Sequence, residues 1–250
     1  MPTILISNDD GFHAPGMRAM RQALEGLGRL IVCCPDSEQS ATSHALTLHR
    51  PLRIAKVEED CYTVDGTPTD SVLLGINHIL KGEKPDLVMS GINAGPNIGD
   101  DIGYSGTVAA ALEGTVYGVP SVAVSLASHD FKNFSAAGQV ARESAQWVLA
   151  NGLPRDVTLN VNIPAIEPSQ IRGRRVTIQG KRHFEDIVQE KLDPRGRRYY
   201  WIGGSVVFPE QEPNTDITAI AEGYVSITPI RIELTAHDVL EHVRSLAGEE

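Results

Sequence analysis

No stretch of this 250-residue chain keeps together the about 18 apolar residues that a helix needs to cross a bilayer. The start, Met-Pro-Thr-Ile-Leu-Ile-Ser, lacks the basic leader and small-residue cleavage site of an export signal, so the cytoplasm is the expected location. Positive charge is scarce: 22 Lys and Arg stand against 32 Asp and Glu, a formal net charge of −10. Duplex nucleic acid, bound through cation-rich surfaces that release counterions, is therefore excluded as a partner, and small ligands are expected instead. Cysteine is rare as well. Cys33, Cys34 and Cys61 form an odd set without metal-type CxxC spacing, which suits a reducing compartment. Cys33 and Cys34 adjoin each other in an apolar stretch expected to be a strand, so they should enter opposite faces as packing. There is no internal repeat, no low-complexity tract and no GxGxxG fingerprint in the first β-α turn.

What is present alternates. Thr3 to Ser7 reads as a buried strand, Asn8 to Pro15 as a loop and Met17 to Leu27 as a helix closed by Gly28. A second strand, Arg29 to Cys34, is stopped by Pro35 and followed by a Ser/Thr-rich loop, Asp36 to His44. Short strands are expected within Leu46 to Val57 and over Cys61 to Val64, then a helix from Thr67 to Leu80 with Thr67 as cap and Pro68 in its first position. The pattern recurs as strand Asp86 to Ser90, loop Gly91 to Gly103, helix Ser105 to Tyr117 and strand Ser121 to Ser125. Continuous apolar strands alternating with helices predict an α/β fold, a mostly parallel sheet with helices on both faces. Helix Ala136 to Leu149 and strand Thr158 to Val161 complete a core expected over residues 1–172. Residues 173–250 differ in character. Arg174 to Trp201 is charged and aromatic around Asp193-Pro194-Arg195-Gly196, which predicts a projecting hairpin on a type I turn. An apolar run, Tyr224 to Ile230, and an amphipathic helix, Ala236 to Leu246, follow.

Ligands of open α/β sheets bind beyond the carboxyl ends of the strands, where three unusual loops fall. The first, Ser7-Asn8-Asp9-Asp10-Gly11, sets two adjacent carboxylates at the end of a buried strand, where mutual repulsion calls for a cation. Oxygen ligands without thiolate or imidazole select a hard cation such as Mg²⁺, Mn²⁺ or Ca²⁺. An isolated Asp-Asp-Gly is more often a turn or a helix cap, and its place at a strand end narrows that difference. The second loop, Ser37 to His44, brings hydroxyls able to ligate a metal or bind phosphate oxygens. The third, Ser90 to Asp101, is rich in glycine and asparagine and leads into Ser105-Gly106-Thr107 at the start of a helix. Helix-end N–H groups and two hydroxyls there suit an anion, and a plain N-cap by Ser105 uses the same donors. Carboxylates holding a cation opposite a helix N-terminus describe a phosphoryl site, and hence phosphate monoester hydrolysis. No serine or cysteine with a partnered histidine stands out as a nucleophile, which favours direct attack by water. His13 and His44 adjoin these loops without a carboxylate partner evident in the sequence, so structural duty is the more expected role. The remaining histidines read as surface residues, and Tyr104 as either pocket wall or core.

The segments SNDDGFHAPG, PDSEQSATSHALTL, GTPTDSV, SGINAGPNIGDDIGYSGTVAAALEG, HFEDIVQEKLDPRGRRYYWIGG and EGYVSITPI, taken in order, resemble the SurE family of stationary-phase survival proteins over nearly the whole chain. The resemblance implies a Rossmann-like core and a metal-dependent nucleotidase acting on nucleoside 5′- and 3′-monophosphates, with exopolyphosphatase activity in some members. It assigns one divalent ion per subunit to Asp9, Asp10, Ser40 and Asn93. It places Asn8, Asn97, Ser105, Gly106 and Thr107 around the phosphate, with Asp9, Asp10 and Asn8 as catalytic residues and either aspartate as general base. It further implies homodimers or homotetramers that exchange C-terminal segments, which would use the hairpin and the Tyr224 to Ile230 run. One departure is Gln39, where many members carry arginine before the loop serine. The missing charge disfavours polyphosphate relative to mononucleotides, unless Arg18 or a hairpin arginine of a neighbouring subunit compensates.

Three rival readings are weaker. A non-catalytic nucleotide sensor would keep the same pocket without turnover. A Rossmann oxidoreductase or transferase lacks its glycine fingerprint. A haloacid-dehalogenase-type phosphatase needs its two aspartates one residue apart, and here they adjoin.

Overall fold

A computed structural model describes residues 1–130, 133–181, 183–185, 188–203, 205–207 and 212–248. In chain order its elements are β1 (Thr3–Ser7), α1 (Pro15–Leu24), β2 (Arg29–Pro35), β3 (Ile54–Glu58), β4 (Cys61–Val64), α2 (Pro68–Leu74), β5 (Leu87–Ala94), α3 (Gly106–Val116), β6 (Ser121–Leu126), α4 (Ser135–Asn151) and β7 (Val157–Ile163). Then come β8 (Arg174–Val176), β9 (His183–Glu185), β10 (Val188–Leu192), β11 (Arg198–Ile202), β12 (Ser205–Val207), α5 (Asp216–Ala221), β13 (Val225–Arg231) and α6 (Leu240–Ala247). Nine strands form one sheet in the order β3-β4-β2-β1-β5-β6-β7-β13-β8. The six from β4 to β7 run parallel, and β3 and β13 enter antiparallel to their neighbours β4 and β7. This is the α/β architecture expected from the alternating pattern.

The alternation of side chains along each strand decides which helix covers which face. Ile4, Ile6, Met89, Val122, Val124, Leu159 and Val161 meet Met17, Met20 and Leu24 of α1 and Ala137, Val140, Ala141 and Val148 of α4 on one face. Leu5, Ile31, Cys33 and Val88 meet Val72 of α2 and Ala110 of α3 on the other, so Cys33 and Cys34 enter opposite sides as expected. Each of Met17, Met20 and Leu24 is fully buried, a contribution of roughly 1.5–3 kcal/mol apiece.

Chain order and strand order separate between β1 and β5. From β1 the chain adds β2 and then β4 and β3 on one side, and it returns to build β5, β6 and β7 on the other. The crevice at this switch point receives the ends of β1 and β5, where a ligand site is favoured.

Local details depart from the sequence pattern, for physical reasons. The stretch before Ile54 forms no strand: Pro51 has no N–H to give, and the amides of Thr47 and Arg53 donate to carboxylate oxygens of Asp70 (2.9 Å) and Asp65 (2.7 Å). Thr67 caps α2 in a full capping box with Asp70, but the α-helix ends at Leu74 and continues as one π turn over Gly75–Ile79. Strand β5 runs on to Ala94, through a bulge and a cis Gly91–Ile92 peptide, so the first residues of the expected third loop, Gly91 to Ala94, are strand. The C-terminal helix is shorter than expected: a 3₁₀ turn, His237–Val239, precedes α6. The hairpin is present as β10 and β11. Asp193 closes it, its carboxylate accepting from the amides of Arg195 (2.8 Å) and Arg197 (2.9 Å). Of the family-like segment around it, residues 186, 187 and 204 lie outside the described ones. The Tyr224 to Ile230 run contributes to β13, which fills the sheet between β7 and β8 and buries Val225 there. No helix among the described residues is long and apolar enough to cross a membrane.

Glycine at 114 sets how closely α3 approaches the sheet. A Cβ there would lie 2.5 Å from Ser121 Oγ and 2.7 Å from Val88 Cγ2, both on buried strands. Gly114→Val should therefore lower the free energy of unfolding by about 1–3 kcal/mol, measured by denaturant titration; an unchanged midpoint would show that the helix can shift freely.

Candidate active site

The crevice at the switch point contains a cavity of about 320 Å³. The three loops singled out from the sequence converge on it. Asp9 and Asp10 come from the end of β1, Ser40 from the second loop, and Asn93, Asn97 and Ser105 from the third loop and the helix start. Asn8, Gly106 and Thr107 do not line the cavity but stand behind these residues. Asn8 is wholly buried and spends its amide on Gly11, donating to the carbonyl at 3.0 Å and accepting from the N–H at 3.2 Å. That turn aims the two aspartates. Thr107 Oγ1 donates a short hydrogen bond to Asp9 Oδ1, and Gly106 packs so closely that a Cβ would lie 2.9 Å from that of Asp9. A side chain at 106 would push α3 away from Asp9.

The second loop is tied in at both ends. The Gln39 amide donates to the Asp9 carbonyl at 2.8 Å, and Ser40 Oγ donates to Glu38 Oε1 at 2.8 Å. Ser43 Oγ donates to the Gly103 carbonyl (2.8 Å), and His44 Nε2 lies 2.7 Å from Glu113 Oε2 on α3. His44 thus has a carboxylate partner after all, 69 residues along the chain. It does not line the cavity. His13 is exposed and sets its ring against Phe12 at 5.1 Å. Ser105 caps α3, its Oγ accepting from the Val108 amide at 3.1 Å, while also lining the cavity. Tyr104 is 63% exposed at the rim, which settles it as wall and not core.

The lining is acidic. Asp9, Asp10, Glu38 and Asp101 contribute carboxyl groups, and His129 is the one basic side chain among the lining residues. Its packing against Gly95, where a Cβ would fall 2.3 Å from the ring, had no local signal in the sequence. Arg18 lies elsewhere, in a groove of about 650 Å³ between α1 and α4 that shares none of these residues. Burial pushes the Asp9 carboxyl up to about 6, with the Asp10 charge adding to the rise and the Thr107 hydrogen bond opposing it. Burial also raises Asp10, against the pull of the Ala94 amide, with Glu38 adding repulsion and His129 attraction. Burial holds the Cys33 thiol up at about 12, far from any nucleophilic thiolate.

A hard cation fits the donors present. Asp9, Asp10, Ser40 and Asn93 offer only oxygen on that side of the cavity, and two carboxylates raised by burial and repulsion are the groups a positive ion would relieve. Among the described residues no three His, Cys, Asp or Glu side chains cluster as a metal site, so half of such a donor set would be a hydroxyl and an amide.

Comparison with known proteins agrees with the family-like segments. The family model "Survival protein SurE" matches residues 4–186. The chain is 49% identical over 243 residues to a protein named 5′-nucleotidase SurE from Geobacter sp. (strain M21), covering 97% of this chain and 98% of that one. It is 52% identical over 234 residues to the protein of the same name from Pelobacter propionicus (strain DSM 2379 / NBRC 103807 / OttBd1), covering 93% and 94% of the two chains. The crystal structure of the SurE protein from Aquifex aeolicus superposes with a TM-score of 0.89 at 44% identity, covering 98% of this chain and 100% of that one.

Asp9 makes stability depend on pH in a set direction. Because burial raises its carboxyl, the stabilisation of the protonated form is complete below the usual carboxylate range and is lost as pH climbs through about 6. With chelator present, Asp9→Asn keeps an acceptor for Thr107 without the charge. It should melt a few degrees above wild type at pH 8 and together with it near pH 4. Coincident melting curves at both pH values would mean that Asp9 bears no desolvation cost.

Proposed function

The chain belongs to the SurE family, and from that premise we propose that it is a 5′-nucleotidase, a phosphomonoesterase that splits nucleoside monophosphates into nucleoside and phosphate. The observation that carries this reading is the convergence of Asp9, Asp10, Ser40 and Asn93 with Asn97 and Ser105 on one crevice at the switch point of the sheet. A divalent ion, Mg²⁺ or Mn²⁺, held by Asp9, Asp10, Ser40 and Asn93 supplies charge neutralisation and a Lewis acid for the phosphoryl group when bound. The protein's own groups do the rest. Ser105 presents the positive end of the α3 dipole to the phosphate, and Asn97 offers an amide beside it. Thr107 holds Asp9 in a single rotamer from behind. Tyr104, exposed at the rim, provides an aromatic face for the nucleoside.

Nucleoside 3′-monophosphates present the same dianion and are substrates in this reading. Long polyphosphate is disfavoured, since four carboxyl groups line the cavity against one imidazole and neither Arg18 nor Gln39 adds a charge. The exposed Tyr200, Trp201 and Ile202 of the hairpin support self-association as a homodimer or homotetramer, because a two-stranded ribbon standing alone in water is marginal.

The decisive experiment is release of phosphate from a panel of 5′- and 3′-mononucleotides and p-nitrophenyl phosphate, with Mg²⁺, Mn²⁺ or chelator. Turnover is expected with either ion and none with chelator, and Asp9→Asn should lose at least about 100-fold in kcat, the scale of removing a charged group from the transition state. If every mononucleotide stays intact with every ion, the protein is a binding or sensing module and the enzymatic reading is wrong.

A further inference from the structure

Beneath the third loop lies a buried polar seam whose strand residues, Ser125, Asn160 and Asn162, fall outside the family-like segments. On β7, Leu159, Val161 and Ile163 pack toward α1 and α4, so Thr158, Asn160 and Asn162 face the other side of the sheet. Asparagine is a poor choice for the centre of a nine-stranded sheet, where valine or isoleucine packs better. Both asparagines are wholly buried, and both bond the main chain of a single residue, Asn97. Asn160 Nδ2 donates to the Asn97 carbonyl at 2.8 Å, and Asn162 Nδ2 donates to the same oxygen at 3.0 Å. Asn162 Oδ1 accepts from the Asn97 amide at 2.9 Å. The Asn97 side chain is held in turn, its Nδ2 donating to Ser125 Oγ at 2.8 Å. Ser125 is the β6 neighbour of Asn162 in the strand register. Asn97 is thus gripped at its amide, its carbonyl and its side chain by two adjacent strands.

The second observation concerns Asn160 alone. Its Oδ1 is buried and meets no protein donor. An acceptor in that position carries a desolvation cost that a leucine of nearly the same shape would not. The Asn97 carbonyl would keep its bond from Asn162 without it. Fold stability therefore gives little reason for an asparagine at 160, whereas fixing Asn97 to a fraction of an ångström does.

We propose that Asn160 and Asn162 are positioning residues that lock Asn97 against β7 so that its side-chain amide meets the substrate's phosphoryl group at the geometry of the transition state. The role rests on the reading of this cavity as a nucleotidase site. It predicts that stability and turnover part company: Asn160→Leu melts at or above the wild-type temperature, yet its kcat on AMP with Mn²⁺ falls at least tenfold with KM little changed. The loss runs through Asn97, so in an Asn97→Ala background the same substitution lowers kcat by no more than twofold further.

The experiment is a double-mutant cycle of Asn97→Ala and Asn160→Leu, with kcat, KM and melting temperature measured for all four proteins. Non-additive losses in kcat with an undiminished melting temperature support the proposal. It is overturned if Asn160→Leu keeps the wild-type kcat, if the two losses multiply, or if the variant melts well below wild type or fails to fold, since each makes 160 a packing position. A wild-type protein that leaves AMP intact with every ion sinks the nucleotidase reading itself, and this role with it; an active wild type isolates the failure to Asn97.

Discussion

A carboxylate at the end of a strand buried from Ile4 to Ser7 is the constraint around which this protein is organised. Asp9 follows β1, the strand between the two halves of the sheet, and its oxygens have neither bulk water nor a basic side chain to neutralise them. The neighbouring Asp10 makes the charge harder to hold. Everything placed nearby responds to that cost: the Thr107 hydroxyl donates to it, Gly106 lets a helix start in contact with it, and three loops deliver further oxygens around it. Such an arrangement is unfavourable by itself, which is the physical ground for proposing a cation between its walls. The cost of burying these carboxylates and the chemistry proposed for the cavity are two views of one feature.

Precision in the crevice comes from beneath it. The glycine- and asparagine-rich loop between β5 and α3 would be loose if it were held by its own backbone alone. Asn160, Asn162 and Ser125 bind Asn97 from the sheet, and the carboxylate of Asp216 accepts from the Gly99 amide at 2.9 Å while Gln179 donates to the Gly99 carbonyl at 3.0 Å. Two of these anchors, Gln179 and Asp216, belong to the part of the chain beyond the parallel core. The late segments therefore shape the same crevice as the early ones, through buried polar bonds that tolerate little displacement.

Polar residues inside the sheet are costly, and this fold concentrates them on the face away from α1 and α4. Ser121, Ser125, Thr158, Asn160, Asn162, Thr177, Ser226 and Thr228 are all nearly inaccessible. Thr177 finds its partners in Ser226 and Thr228, Thr158 in Thr115 of α3, and Ser125, Asn160 and Asn162 in Asn97. The opposite face is a conventional apolar core. Both faces pack apolar clusters, and the face away from α1 and α4 also holds the loops in register.

Short-range regularities made much of this readable from the residues alone. Apolar runs of strand length between helical periods give the parallel sheet, because a strand covered on both faces has no polar side. Asp9, Asp10 and Ser105 were visible because each sits at a strand end or helix start whose composition is abnormal for a mere connection, and the family resemblance picked Ser40, Asn93 and Asn97 out of the neighbouring segments. What stayed hidden was every relation that spans the sheet. His44 gains Glu113, His129 reaches the cavity over Gly95, Arg18 turns into another groove, and Asn160 and Asn162, disguised inside an apolar strand, grip a residue more than sixty positions away. Likewise the place of β13 between β7 and β8 shows only in the folded sheet. Periodicity and loop chemistry are local and survive in one dimension; which hydroxyl or amide meets which carboxylate is decided by strand order and register, and those exist only once the chain has folded.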